Sequence, residues 1–173
     1  MKARIAITVD RPMLDVFESL ASELAKPPAL EVQPDSFNLE DRKANELVAV
    51  VAESGGHKVV VRYGFAAAAL GTAIDCAYEV TSRSMLASLG IGADSAKLLG
   101  AWMQQDMQRI PSALQDMVKA EAEHDRSAQP APVPTSSASE PRRITRRLDI
   151  KMKAQIPPGV KLDPSRVDPN PIA

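Results

Sequence analysis

The chain has 173 residues, 45% hydrophobic and 25% charged, with a net charge of -1 at neutral pH, a composition that fits one compact domain of ordinary size plus an appendage. Aromatic residues are only 3%, which leaves few stacking platforms for bases or sugars, and Cys76 is the sole cysteine, which excludes an internal disulfide and a thiolate-rich zinc site. The most apolar stretch, residues 64–80, is broken by Asp75 and Glu79 and falls short of the ~20 apolar residues of a membrane span. With no apolar run of signal-peptide kind in "MKARIAITVDRP", the expectation is a soluble protein of the cytoplasm, or part of a virion assembled there.

Along the chain, Ile5, Ile7 and Val9 alternate, so 3–9 reads as a half-buried strand. Asp10 offers an N-cap, and Met13, Phe17, Leu20 and Leu24 recur at helical spacing up to the stop at "KPP", giving a helix over 11–26. "ALEVQ" predicts a short strand at 29–33, and "PDSFNLEDRKA" reads as a polar connection. Two β-branched runs around "ESGG" predict a hairpin of strands 46–52 and 57–63. From Ala66 the period changes: Leu70, Ala73, Ile74, Ala77 and Val80 form one face of a helix over 66–89, which Gly90 closes. Leu99, Met103, Met107, Ile110, Leu114 and Met117 predict a further helix over 95–123, kinked or divided at Pro111. The fold class is therefore α+β, a small, largely antiparallel sheet of about four strands covered by three helices, with an extended C-terminal arm. Its parts are a head over 1–126, a Pro/Ser/Ala-rich linker over 127–141 and a basic arm over 142–173.

Residues able to carry chemistry are few. His57 falls at the hairpin turn and His124 at a helix end, neither with converging partners, and Cys76 has no nearby cation to activate its thiol. The carboxylates Asp75 with Glu79, and Asp116 with Glu121 or Glu123, read as solvated helix faces. The sequence holds no Walker loop, G-x-G-x-x-G or G-x-S-x-G, so no catalytic residue, cofactor or metal site is assigned. Segment 82–102 has the outline of a helix-turn-helix, yet Asp94, Ser95, Ala96 and Lys97 stand where base-reading side chains belong.

The arm holds the strongest signal. Leu148, Ile150, Met152, Ala154 and Ile156 alternate with polar residues, a strand with one apolar side that is unstable alone and needs a sheet edge to pair with. Residues 1–139 carry 13 basic and 18 acidic side chains, or -5, and residues 140–173 eight and four, or +4. Extended, residues 140–173 reach ~110 Å, well beyond their own head. The expectation is a non-enzymatic structural component of a large assembly, such as a phage virion or injection machine, whose arm docks on neighbouring subunits of the same or another chain by strand addition. In the alternative, Arg142, Arg143, Arg146, Arg147, Lys151 and Lys153 hold the phosphates of a nucleic acid, with segment 82–102 as a weak reading element.

Overall fold

The computed structural model describes residues 1–31, 33–82, 91–127 and 148–163, with side chains of the long helix described over 94–124. Its elements are β1 (Lys2–Val9), α1 (Met13–Leu24), β2 (Ser36–Lys43), β3 (Leu47–Ser54), β4 (His57–Ala68), β5 (Gly71–Ser82), α2 (Ile91–Ser127) and β6 (Ile150–Gln155). The strands form one open antiparallel sheet in the order β2-β3-β4-β5-β1-β6, and both helices bury residues against it. The α+β class holds, with six strands and two helices among the described residues where about four and three are expected.

Alternation decides which side of each strand faces the helices. Ile5, Ile7 and Val9 of β1, Val59, Val61 and Tyr63 of β4, and Ile74, Cys76 and Tyr78 of β5 are buried in one cluster with the inward stripes of α1 and α2. The α1 stripe is Val16, Phe17, Leu20, Ala21 and Leu24, the 3.6-residue pattern of the sequence. Its N-cap is Pro12 rather than Asp10, with no side-chain cap bond. Asp10 donates its backbone N–H to the Asp149 carbonyl at 3.2 Å instead, so the residue expected to start the helix joins β1 to the arm.

The helix expected over 66–89 is not formed over its first part: β4 runs to Ala68, and residues 71–82 are β5. Alanine is the reason. Ala73 and Ala77 complete a helical face on paper, but the alternation of buried Thr72, Ile74, Cys76, Tyr78 and Val80 is also present, and these mostly β-branched or aromatic side chains fit a pleated surface. Residues 83–90, the rest of that expected helix and most of the first half of the helix-turn-helix outline, lie outside the described residues. Gly71, at φ +129°, sits where the β4–β5 turn meets the β1–α1 junction, and a methyl group there would run into the Val9 carbonyl. The nearby Thr72 hydroxyl donates to the Arg11 carbonyl at 2.8 Å.

The strand expected at 29–33 is absent among the described residues there, and β2 forms in the stretch read as a polar connection. Pro27, Pro28 and Pro34 surround 29–33 with residues that donate no ladder bond. β2 is polar because it is an edge strand: it packs Phe37 inward, shifts register between Leu39 and Asp41, and exposes charged residues. One helix, α2, carries Pro111 in its interior rather than being divided there, which costs Met107 its carbonyl partner.

Gly71→Ala should lower the unfolding free energy by about 1–3 kcal/mol, because it meets both a left-handed backbone and the Val9 carbonyl. A urea midpoint equal to that of the unaltered chain would refute this placement of the turn.

Candidate functional site

The expected strand of the arm forms, and in the single chain it seats on its own head. β6 pairs antiparallel with β1 in six register pairs, from Arg4 opposite Gln155 to Val9 opposite Ile150. Leu148 and Ile150 are each 4% exposed, and Met152 and Ala154 pack partly buried against the core. Ile156, expected to seat with them, is 44% exposed. Lys151 and Lys153 face outward, with Lys151 3.8 Å from Asp149. Arg142, Arg143, Arg146 and Arg147 lie outside the described residues.

Beyond β6 the chain turns through Pro157–Gly159 and crosses α2 as a strap. Gly100 permits the crossing: a Cβ there would lie 3.0 Å from the Lys161 carbonyl oxygen and 3.2 Å from a Val160 methyl. Val160 and Leu162 pack partly buried on the core, and the Asp163 N–H donates to Gln104 Oε1 at 3.4 Å. Two surface depressions take a wall from this segment. One of ≈ 540 Å³ lies on the sheet face away from the helices and is bordered by Arg4, Arg62, Ala77 and Gln155. The other, of ≈ 470 Å³, lies between α2, residues 29–31 and Lys161.

Beneath α2 is a polar cluster that the sequence reading missed. Asp106 is fully buried, and its Oδ2 accepts from the Tyr63 and Tyr78 hydroxyls, each at 2.8 Å. Arg109 Nε donates to Asp106 Oδ1 at 2.6 Å, one guanidinium nitrogen donates to the Tyr63 hydroxyl at 2.8 Å, and the other reaches the Lys26 carbonyl at 3.1 Å, just past the end of α1. Burial pushes the Asp106 carboxyl up, against the pull of Arg109 and the two phenols. Burial also raises both phenols, with the Asp106 charge adding to it, so they stay protonated and donate at neutral pH. The cluster borders neither depression through Asp106 or Arg109 and has every acceptor oxygen of the carboxylate occupied. Its chemistry is that of a clamp. Its trace in the sequence is slight: Asp106 interrupts the stripe Leu99, Met103, Ile110 and Leu114, and Arg109 follows one helical turn later.

The other candidates are placed as follows. His57 Nδ1 lies 3.2 Å from the Ser95 hydroxyl, tying the β3–β4 turn to the start of α2, and Ser95 is 2% exposed. His124 is exposed on α2. Cys76 points into the core from β5, and burial pushes its thiol up, away from the reactive thiolate. Asp75 pairs with Arg4 at 3.0 Å and Glu79 with Lys2 at 3.4 Å, in both cases across β5 and β1 on the outer sheet face. Glu121 holds Arg11 at 3.2 Å, and Asp116 pairs with Lys119 at 3.4 Å. Among the described residues no group of three His, Cys, Asp or Glu side chains is placed to hold a metal ion, and no helix is long and apolar enough to cross a membrane.

No protein-family model and no curated protein matches the chain. Among solved structures it is similar to protein CV1439 of Chromobacterium violaceum, at 11% identity and a TM-score of 0.35 over 47% of this chain and 81% of that one. It is also similar to SSP2350 of Staphylococcus saprophyticus, at 16% identity and a TM-score of 0.36 over 72% and 93%, and to CalU16 of Micromonospora echinospora, at 15% and 0.35 over 70% and 86%. Likenesses at this level carry no argument about what the chain does.

Asp106→Ala should cost about 3–5 kcal/mol, since it strands a buried guanidinium and two buried phenols, whereas Tyr78→Phe removes one donor and should cost about 0.5–1.5 kcal/mol. Chemical denaturation checks both, and a cost below about 1 kcal/mol for Asp106→Ala would mean the cluster is not a clamp. Gly100→Leu should lift the strap off α2 while favouring the helix itself by up to about 1 kcal/mol. Hydrogen exchange at Val160 and Asp163 should then quicken. Unchanged protection there would contradict the crossing.

Proposed function

We propose that this chain is a non-enzymatic assembly protein whose C-terminal segment donates β6 to the β1 edge of a neighbouring copy as well as to its own. The observation that carries the reading is the docking of β6. A six-residue strand, separated from α2 by residues 128–149, is held on β1 by ladder bonds and by two buried apolar side chains, Leu148 and Ile150. Nothing in that surface distinguishes a strand of the same chain from a strand of another, so the same register is available between chains.

Intrachain docking competes with an effective concentration on the order of millimolar for a tethered segment. Exchange between copies is therefore favoured where chains are crowded, as on the surface of a growing particle such as a phage virion. The non-enzymatic reading is supported by the sealed environment of Asp106, the buried hydroxyl opposite His57 and the core position of Cys76, which put the strongest chemical groups to structural use.

Native mass spectrometry of the full chain over about 1–500 µM tests the reading, a range that approaches the effective concentration of the tether. A dimer or larger oligomer should grow with concentration, and Ile150→Asp should abolish it by placing a charge in the core. Oligomers that persist in Ile150→Asp, or a monomer throughout, would exclude strand exchange as the assembly mechanism.

A further inference from the structure

The docked part of the C-terminal segment extends past β6. Only four residues, 156–159, separate Gln155 from Val160, and the Val160 N–H donates to the Pro157 carbonyl at 3.3 Å, which closes them into a turn. The strap therefore sits wherever β6 sits. It crosses α2 at Gly100, where a Cβ would stand 3.0 Å from the Lys161 carbonyl oxygen and 3.2 Å from a Val160 methyl, so a branched side chain there blocks the crossing. Glycine inside a helix costs about 1 kcal/mol relative to alanine, and the close approach of a second segment accounts for it. Val160 and Leu162, on either side of Lys161, pack partly buried against the core, and the Asp163 N–H reaches Gln104 Oε1 at 3.4 Å.

We infer that the unit donated between copies is the whole segment 148–163, and that Gly100 of the accepting copy is a specificity-determining position for it. The inference rests on the strand exchange proposed above and adds to it a second, separable contact. The β1 edge alone accepts any strand with apolar side chains at the places of Leu148 and Ile150, because ladder bonds do not depend on side-chain identity. The α2 crossing asks for more: a turn immediately after the strand, then two apolar residues spaced to straddle a helix at its one small position. This chain's own segment meets both demands, so the partner that fits the surface is a second copy of the same chain.

Complementation between two full-length variants is the test. Gly100→Leu blocks the crossing on a chain's own α2 but leaves its segment fit to donate, whereas Leu162→Asp spoils the segment but leaves α2 fit to accept. Neither variant alone can form the strap contact, as monomer or as dimer. Mixed in equal amounts, one copy of each regains one intact crossing. Native mass spectrometry, with a mass tag on one chain, should then show heterodimer exceeding the two homodimers together by about tenfold, the worth of two partly buried apolar side chains, where chance gives equal amounts. Gly100→Val mixed with Val160→Asp repeats the measurement on other side chains and guards against one variant's failure to fold. Dimers in chance proportions in both mixtures overturn the inference and leave strand exchange standing. Absence of any dimer, from the unaltered chain as well, overturns both.

Discussion

One buried carboxylate decides how the helices sit on the sheet. Asp106 draws together a phenol from β4, a phenol from β5 and the guanidinium of its own helix, and that guanidinium reaches on to the carbonyls that end α1. No cation occupies the last turn of α1, so Arg109 supplies from outside the charge that helix C-termini favour. An unpaired charge in this position would cost several kcal/mol, and only the full set of donors makes it tolerable. Turning α2 by one residue would move Asp106 by about 100° and leave the two phenols of Tyr63 and Tyr78 without their acceptor. Leu99, Met103, Ile110 and Leu114 could slide to neighbouring positions with modest loss; the polar cluster has one register.

The sheet's two edges are treated differently. β2 carries a register shift and a run of charged residues, devices that discourage pairing with a passing strand. β1 has no such protection, since its outward neighbour is β6 itself, which ends at a Pro-Pro step. The arm is thus both cover and continuation of the sheet, and the strap beyond it crosses α2 at Gly100, where no side chain stands in its way.

How much of this was legible in the sequence follows from which residues are ambiguous. β1, α1 and the β3–β4 hairpin were read correctly because large apolar residues sit at one period only, and because the turn holds Gly55 and Gly56, both at positive φ. Residues 66–82 were misread because alanine fits either period, and four consecutive alanines hid the alternation that continues through Thr72 to Val80. β2 was missed because an edge strand need not be hydrophobic. The arm's alternation was legible, but the edge it pairs with was not, since periodicity says which side is apolar and nothing about whose sheet lies beside it. Asp106 escaped because a lone acid in a helix is ordinary, and its significance lies in tyrosines 43 and 28 residues away.

Placing β6 against β1 has a consequence for the order of events during synthesis. β1 emerges first, acquires β5 only after some seventy residues, and waits a further sixty-odd residues for Leu148 and Ile150. At translation speeds of about 5–20 residues per second, that second interval lasts roughly 3–13 s. During it the ribosome-bound chain holds a nearly complete sheet with one bare hydrogen-bonding edge, and on a polysome neighbouring nascent chains hold the same. Docking of Leu148 and Ile150 is therefore the step that completes the sheet, and until it occurs β1 keeps its outward hydrogen-bonding groups without their β6 partners.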